Sequence, residues 1–312
     1  MANARGDVIN VFDRRLVRRR RDRAAAGLAG HDFLFREVAA RLADRLDDIR
    51  RRFPLALDLG CHDGTLGRAL AGKGGIETLV QGDLSPAMAA LARAEGGAGA
   101  LSLALDEEAV PFADMSFDAV FSNLSLHWVN DLPGALLQLR RVLKPDGLLL
   151  AAMFGGGTLA ELRQCLIEAE IDTAGGAGPR VSPFADLGDA GGLLQRAGFA
   201  LPVVDTDTVS VIYADLMALM HDLRGMGESN ALRDRPGKAI RRDTLARAAE
   251  IYHARYADAD GRLPATFQVL TLTAWAPDPS QQQALRPGSA KARLADALDA
   301  KEVSAGEKAA PE

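Results

Sequence analysis

The chain contains only two cysteines, Cys61 and Cys165, among its 312 residues. Two cysteines exclude the disulfide framework of a small secreted domain and are typical of a reducing compartment. No apolar run approaches the roughly 20 residues that a membrane-spanning helix requires. The N-terminus also lacks the apolar segment of a secretory signal peptide. These absences predict a cytoplasmic protein of the bacterial type.

The chain also lacks an excess of positive charge. Its formal net charge is -5, which argues against a nucleic-acid-binding protein. Hydrophobic residues make up 48% of the sequence, so the chain can bury a sizeable core. Its length allows one large domain, or a domain with an elaborated second half.

Positive charge is instead concentrated near the N-terminus. The arginines of this segment are Arg14, Arg15, Arg18, Arg19, Arg20, Arg21 and Arg23. A transit peptide is disfavoured because Asp7, Asp13 and Asp22 interrupt the run and serine is absent. A lipid-binding or nucleic-acid-binding arm is a second interpretation. We favour a third, the solvated face of a docked helix. Its apolar contacts would be Val8, Ile9, Val11, Phe12, Leu16 and Val17.

Beyond residue 53, strand-like and helix-like segments alternate. Apolar runs typical of strands buried on both faces occur at residues 55–59, 76–81, 101–105, 117–122 and 148–153. Helices are predicted between them at residues 65–71, 86–94 and 133–143. This βαβ alternation indicates a parallel sheet with helices on both faces.

After residue 154 the pattern changes. Helices are predicted at residues 158–169, 187–197, 214–224 and 243–257. Strands at 201–204 and 209–213 would flank an Asp-Thr-Asp-Thr turn, and residues 266–275 alternate like a late antiparallel strand. We therefore predict an N-terminal helical cap at 1–53, and a domain at 54–276 with its core at 54–154 and a substrate-side elaboration at 155–264. A disordered tail is predicted at 277–312.

Acidic residues follow the predicted strands, at the edge where ligands of doubly wound sheets bind. Asp58 opens a glycine-bearing loop, Asp83 ends the second strand and Asp106 ends the third. Asp83 could accept both hydroxyl hydrogens of a ribose, or it could cap the following helix. Asp106 could accept a hydrogen bond from an adenine amino group, or it could be a solvated loop residue.

Five ordered segments carry a resemblance to a known family. They are Asp58-Leu59-Gly60, Gly82-Asp83-Leu84-Ser85-Pro86, Asp106 ahead of Val110-Pro111-Phe112, Ser116-Phe117-Asp118-Ala119-Val120, and Leu143-Lys144-Pro145-Asp146-Gly147. Together they resemble the class I S-adenosylmethionine-dependent methyltransferases. The resemblance implies an α/β, Rossmann-like fold with a mostly parallel seven-stranded sheet, an N-terminal helical cap and a C-terminal helical insertion.

The same resemblance implies the cofactor and the residues that would hold it. The cofactor is S-adenosyl-L-methionine. The implied binding residues are Asp58, Gly60, Cys61, His62, Gly64, Asp83, Leu84, Asp106, Glu107 and Asn123.

Five further segments are similar to one branch of the family, the methyltransferase-like assembly factors of respiratory complex I. They are residues 10–14, 125–133, 152–156, 204–207 and 223–230. This branch is implied to hydroxylate an arginine on the iron–sulfur quinone-module subunit of the complex. The malonyl-carrier-protein methyltransferases share the His127-Trp128 region and lack the Gly-Glu-Ser-Asn run at 227–230.

The resemblance implies catalytic roles for His127, Trp128 and Glu228. Trp128 could stack on a guanidinium, or it could be a core aromatic residue. Glu228 could pair with a substrate arginine, or it could lie in an ordinary helix-terminating turn. The residues identify no oxidant, and His62 and His127 alone do not make a metal triad, so we predict no metal ligand.

The chain departs from the family at His62, which replaces the middle glycine of the Gly-x-Gly-x-Gly loop. A left-handed backbone costs a residue with a Cβ atom on the order of 1–2 kcal/mol. The imidazole would point into solvent, into the methionine subsite or onto a metal. We expect His62 to weaken cofactor binding without abolishing it.

Three functions stay open at this point: a protein-arginine hydroxylase, a methyltransferase of a carboxylate or another small or carrier-bound substrate, and a non-catalytic assembly chaperone. For the first, the partner is the complex I quinone-module subunit. We expect no nucleic-acid partner, and we predict peripheral membrane contact through the arginine-rich segment.

Overall fold

A seven-stranded sheet lies at the centre of the computed structural model, which describes residues 10–96, 100–282, 294–301, 303 and 306. The strands are β1 (Leu55–Leu59), β2 (Thr78–Asp83), β3 (Ala100–Ala104), β4 (Phe117–Asn123), β5 (Leu143–Phe154), β6 (Ala200–Tyr213) and β7 (Leu263–Trp275). Their order is β3-β2-β1-β4-β5-β7-β6. In this sheet β7 alone runs opposite to the other six strands, which confirms the predicted mostly parallel sheet with a late antiparallel strand.

Helices cover both faces of the sheet, as predicted. They are α1 (Arg14–Ala24), α2 (Phe33–Arg45), α3 (Thr65–Ala69), α4 (Pro86–Glu95), α5 (Leu132–Val142), α6 (Ala160–Ala174), α7 (Leu187–Arg196), α8 (Leu216–Gly225) and α9 (Arg242–Tyr256). Successive side chains of β5 enter opposite cores: Leu148 and Leu150 pack with α2, α6 and α9, whereas Leu149 packs with α5 and α7. Burial on both faces explains why these strands are continuous apolar runs.

Helix caps fix where two of these helices begin. The Ser85 hydroxyl accepts a hydrogen bond from the Met88 N–H at 3.1 Å, and Pro86 occupies the first turn of α4. Asp131 accepts from the Gly134 N–H at 2.9 Å at the start of α5. Both arrangements satisfy N–H groups that a helix leaves unpaired.

The predicted turn at residues 205–208 is wrong. These residues continue one long edge strand, β6, that pairs with β7 throughout this stretch. Asp205 pairs with Arg45 of α2 at 2.6 Å, and Asp207 lies 3.8 Å from Arg41. The aspartates are tolerated in the strand because α2 supplies cations beside the sheet edge.

The predicted solvated face of α1 is confirmed for Arg15, Arg18, Arg19 and Arg23, which are exposed, and is wrong for Arg14 and Arg21. The side chain of Arg21 is fully buried, and that of Arg14 is 12% exposed. Phe12 and Val17 dock the segment, while Val11 is largely exposed. Of the other predicted docking residues, Leu16 is half-buried, and residues 8 and 9 lie outside the described part of the chain. Arg14 and Arg21 point inward because acidic side chains lie beneath them.

The unit that contains the sheet extends to Pro277, and residues 278–312 form a second unit. The predicted disordered tail lies largely outside the described residues, and its described part contains a short helix, Leu294–Ala297. No helix within the described ranges combines the length and apolar character needed to cross a bilayer.

Candidate cofactor and substrate site

The loop after β1 turns sharply beneath the carboxyl edge of the sheet. Gly60, His62 and Gly64 all have positive φ angles, of 73°, 50° and 81°. A Cβ atom at Gly60 would lie 2.1 Å from the Ser125 side chain, so only glycine fits there. The His62 N–H donates to Asp83 at 3.1 Å, which ties the loop to the end of β2.

The His62 imidazole is buried and points into the protein. It stacks on Phe35 with ring centroids 4.2 Å apart. Its Nε2 lies 3.2 Å from the carbonyl oxygens of both Asn123 and Leu124, so the Nε2–H is the donor. Solvent, one of the three expected destinations, is therefore excluded.

Asp58, the next-to-last residue of β1, is a fully buried carboxylate without hydrogen-bond partners among the described residues. Burial raises the pKa of Asp58 to about 7, and the charges of Asp83 and Asp63 act in the same direction. The Gln81 amide nearby opposes this shift without reaching hydrogen-bonding geometry. An unpaired buried carboxylate is an unusual feature of a folded protein and suits a cationic ligand group.

Three acidic residues at the ends of β2 and β3, Asp83, Asp106 and Glu107, form what we call the carboxylate cluster. The Arg21 guanidinium lies among them. Its NH1 nitrogen is 3.3 Å and 3.4 Å from the two Asp83 oxygens and 3.0 Å from Glu107. Its NH2 nitrogen donates to the Ser125 hydroxyl at 2.9 Å.

A second arginine of α1 completes this network. Arg14 donates to Asp106 at 2.6 Å and also to Glu107. Burial would raise the pKa of Glu107, but the charges of Arg14 and Arg21 outweigh it and hold that pKa well below its usual range. Burial would likewise lower the pKa of Arg21, but the carboxylates raise it. The buried charges thus compensate each other.

The predicted cofactor residues gather at this edge with unequal roles. Cys61 is buried beside the loop, and burial raises the pKa of its thiol. Leu84 packs toward Phe12 and Trp128. The Asn123 amide donates to the Phe35 carbonyl oxygen at 2.9 Å, so its NH₂ group faces α2. The cofactor assignments stay predictions.

The chemistry of the edge fits a nucleoside with a cationic substituent, because Asp83 can accept hydroxyl hydrogens and Asp58 can accept from a positive group. The arrangement of α1 adds a condition. Asp83 and Glu107 already accept hydrogen bonds from Arg21. A ribose would have to take the place of that guanidinium.

The predicted catalytic residues form a compact buried group. Gly227, with a φ of 80°, follows the end of α8 and turns Glu228 inward. Glu228 Oε2 accepts from the Trp128 indole N–H at 2.8 Å and from His127 Nε2 at 3.0 Å. The turn that ends α8 therefore also places the Glu228 carboxylate inside the protein. Trp128 is a buried aromatic residue whose ring lies edge-on to Phe12 at 5.2 Å.

The protonation of this group follows from burial. Burial lowers the pKa of His127 more than Glu228 raises it, so the imidazole is neutral and donates through Nε2. Burial would raise the pKa of Glu228, but the His127 contact and the charge of Arg21 lower it, so the carboxylate stays ionised. His127 Nδ1 and Glu228 Oε1 have no hydrogen-bond partner among the described residues.

Glu228 lines a cavity of about 360 Å³, which we call the Glu228 cavity. Its apolar wall includes Leu159, Leu162, Phe184 and Met220. Four basic residues also line it: Arg20, Arg180, Arg235 and Lys238. A pocket of this size accommodates a small ligand or one long side chain.

Sequence reasoning missed the two inward arginines of α1. Arg14, Val17 and Arg21 are spaced at i, i+3 and i+7, which places them on one helical face. The buried Val17 marks that face as the packed one. This spacing was the signal that could have identified Arg14 and Arg21.

Comparison with known proteins agrees with this geometry. The methyltransferase-domain family matches residues 57–151. The arginine-hydroxylase NDUFAF5 of Danio rerio mitochondria is 44% identical over 92% of this chain and 89% of its own length. The malonyl-[acyl-carrier protein] O-methyltransferase of Halorhodospira halophila is 38% identical over 89% of this chain and 93% of its own.

A solved structure supports the fold. The phosphoethanolamine N-methyltransferase 2 of Haemonchus contortus, determined with S-adenosylhomocysteine, superimposes with a TM-score of 0.53 at 18% identity, over 84% of this chain and 60% of that one. The fold is thus the Rossmann-like class I methyltransferase fold. The chain belongs to the methyltransferase-fold family of the NDUFAF5 arginine-hydroxylases.

Proposed function

We propose that the chain binds S-adenosyl-L-methionine and hydroxylates an arginine side chain of the iron–sulfur quinone-module subunit during assembly of NADH:quinone oxidoreductase. Its similarity to proteins named arginine-hydroxylases supports this activity. The observation that carries the proposal is Glu228, a buried carboxylate with one unpaired oxygen that lines a cavity beside the cofactor edge.

In this proposal the cofactor lies at the carboxyl ends of β1 and β2. Asp83 would accept hydrogen bonds from the ribose hydroxyls, and Asp58 would pair with the positively charged amino group. The cofactor, when bound, supplies a sulfonium cation. Gly60 allows the loop after β1 to pass close to Ser125, because any side chain there would collide with that residue.

Glu228 would bind and orient the substrate guanidinium. Its Oε1 is buried without a partner among the described residues and would accept a charge-assisted hydrogen bond from the guanidinium, while Trp128 and His127 hold Oε2. The neutral His127 presents Nδ1, an unpaired acceptor that can take a proton. Because the group is buried, the guanidinium would be held with little water around it, which favours one orientation.

The oxidation itself needs groups that the chain does not contain. Converting a C–H bond into C–OH removes two electrons from the substrate carbon. Dioxygen with a two-electron reductant balances this step: one oxygen atom enters the new C–OH bond, and the other leaves as water with two protons and the two electrons of the reductant. We assign the chain's residues only to binding, orientation and proton transfer.

Mass spectrometry of the quinone-module subunit tests the proposal. Cells that lack this gene would be complemented with the wild type or with Glu228→Gln. We expect an arginine with the mass of one added oxygen in the wild type, and its loss in the variant. Glu77→Gln is the matched control, because Glu77 is an exposed partner of Arg52.

Two other outcomes would replace the proposal. A missing methyl group on any target would favour a methyltransferase of a carboxylate or carrier-bound substrate. The four basic residues around the Glu228 cavity, which suit an anionic substrate, and the malonyl-carrier-protein methyltransferase relatives favour that candidate. An unmodified subunit with failed assembly would favour a non-catalytic chaperone, for which the closure of the nucleoside edge by Arg21 is the supporting observation.

We also propose a cytoplasmic protein that touches the membrane surface on which the complex assembles. On α1, Arg18 and Arg19 are exposed and available for such contact, whereas Arg21 is not. Replacing Arg18 and Arg19 with glutamine should reduce recovery with the membrane fraction. Unchanged fractionation would contradict the contact.

A further inference from the structure

The Glu228 cavity has an unbalanced charge. Its described lining contains four basic side chains, whereas Glu228 is the single acidic one. Arg20 donates to the carbonyl oxygens of Ser229 and Asn230, so its charge is fixed at the wall. Burial, and next the charge of Arg235, lower the pKa of Arg20 to about 10. Positive charges are therefore crowded at the mouth of the Glu228 cavity.

This crowding has a consequence for a substrate arginine. A guanidinium moving toward Glu228 would pass Arg20, Arg235 and Lys238, which repel it. A peptide that carried its own carboxylates beside the arginine would turn this repulsion into attraction. Arg180 contributes less, because Glu170 already pairs with it at 2.7 Å.

We propose that the target arginine lies in an acidic segment of its protein, and that Arg235 and Lys238 bind the flanking carboxylates. This inference rests on the proposed function and adds a rule for substrate choice. Arg235 donates to the Leu232 carbonyl oxygen at 2.6 Å through one nitrogen, while its other terminal nitrogen lies 3.6 Å from Asp13 and can take a ligand carboxylate as a closer partner. Lys238 is exposed at the mouth of the cavity.

Peptide binding, measured by calorimetry on the full chain, tests this rule. One peptide carries arginine between aspartates, and a second carries asparagines in their place. We expect the acidic peptide to bind on the order of tenfold more tightly at low salt. Lys238→Gln should reduce that preference, and Arg235→Gln with Lys238→Gln should remove it. Arg247→Gln is the control, since Arg247 is a surface residue paired with Asp172.

The outcomes separate this rule from the proposed function. Equal affinity of the two peptides for the wild type would overturn the acidic-segment rule and leave the arginine site standing. A preference that persists in the double variant would also overturn it. A third peptide keeps the aspartates and has norleucine in place of arginine. If it binds as tightly as the acidic arginine peptide, binding of carboxylates by Arg235 and Lys238 is supported, and Glu228 is refuted as the arginine site.

A separate observation concerns α1 itself. Arg20 and Arg21 are consecutive, yet Arg20 lines the Glu228 cavity while Arg21 lies in the carboxylate cluster. The loop of Glu228 packs against the same helix, because a Cβ atom at Gly227 would lie 3.5 Å from the Arg21 backbone. One helix therefore contacts both sites.

We infer that α1 acts as a latch whose Arg21 must withdraw before a nucleoside binds. Asp83 and Asp106, the two acceptors predicted for ribose and adenine, both accept hydrogen bonds from arginines of this helix. A nucleoside bound through the same oxygens would compete with Arg21 for Asp83 and with Arg14 for Asp106.

Hydrogen exchange and calorimetry with S-adenosylhomocysteine test the latch on the full chain. A latch predicts faster exchange in residues 14–24 when the ligand binds, and about three- to tenfold tighter binding by Arg21→Gln than by the wild type. Slower exchange in these residues, or weaker binding by Arg21→Gln, would show that α1 belongs to the bound state and would overturn the latch. Binding by neither protein would overturn the latch and the cofactor assignment together. Arg23→Gln, an exposed change on the same helix, is the control.

Discussion

The carboxylate cluster and the Glu228 cavity both contain buried acidic groups next to α1, but they differ in how those charges are balanced. In the cluster, Arg14 and Arg21 pair with Asp83, Asp106 and Glu107. In the cavity, Glu228 keeps one oxygen unpaired, although its other oxygen is held by two donors. Buried polar atoms without partners are rare in folded proteins.

This difference suggests different functional states. The cluster is satisfied within the chain, so a ligand there has to replace existing contacts. Glu228 lines the cavity and has an oxygen without a partner among the described residues, so a ligand that reaches this oxygen adds a contact without replacing one. If the proposed roles of the two sites are correct, a substrate would bind without displacing a side chain, whereas the cofactor would displace Arg21.

We expect the largest effect on stability when a buried glutamate is replaced by glutamine, once in the carboxylate cluster and once in the Glu228 cavity. Glu107→Gln removes the charge that faces two buried arginines and should lower the free energy of unfolding by about 3–5 kcal/mol. Glu228→Gln should lower it by only about 1 kcal/mol, because an amide oxygen can still accept from Trp128. Urea unfolding measures both values. Equal losses of unfolding free energy in the two variants would contradict the difference in charge balance between the cluster and the cavity.

Asp58 should make stability depend on pH. Its pKa of about 7 in the folded state lies above the unfolded value, so the folded chain binds more protons between these values and loses stability as pH rises. Asp58→Asn should therefore gain about 2–3 kcal/mol relative to wild type between about pH 5 and pH 8. Asp63→Asn is the control: burial would raise the pKa of Asp63, but Thr65 and Arg68 together lower it below its usual range, so the effect of this substitution should stay level there. If the free energy of unfolding changed with pH in the same way for Asp58→Asn and for wild type, the raised pKa of Asp58 would be refuted.

Trp128→Phe should weaken the orientation of Glu228. It keeps an aromatic ring beside Phe12 and removes the indole N–H that donates to Oε2. We expect a loss of stability of about 1 kcal/mol and about a tenfold loss of activity on the quinone-module subunit. Trp275→Phe is the control. Full activity of Trp128→Phe would show that His127 alone positions the carboxylate.

The smallest effect is expected at His62. His62→Gly relieves a positive φ of 50° and removes the imidazole from the loop. S-adenosylmethionine should then bind about three- to fivefold more tightly, which calorimetry can measure. Met115→Gly relieves a similar φ of 52° elsewhere and should change nothing. Equal affinities of wild type and His62→Gly would refute the idea that His62 weakens binding.

Several features of the site could be predicted from sequence because they depend on chain order. Asp58 and Asp83 lie at the ends of buried strands, and the carboxyl ends of parallel strands meet at one edge whatever the surrounding helices do. The turn that carries Glu228 was also visible, because Gly227 can adopt the left-handed backbone that ends a helix. Such features need only local rules and the parallel topology.

Other features depend on contacts between distant segments. The aspartates of β6 looked like a turn because their partners, Arg41 and Arg45, lie about 160 residues earlier in the chain. Arg21 looked like a solvated residue because Asp83 and Glu107 are 62 and 86 residues away. Composition alone cannot tell an arginine in water from an arginine among carboxylates.

The sequence by itself determined the order of strands and helices and the residue types at each strand end, since apolar periodicity and glycine conformations are local properties. Only the tertiary structure decided which acidic groups are already paired and which are left for a ligand. The physical reason is that the protonation and availability of a buried charge depend on the opposite charges packed against it, and those come from anywhere in the chain.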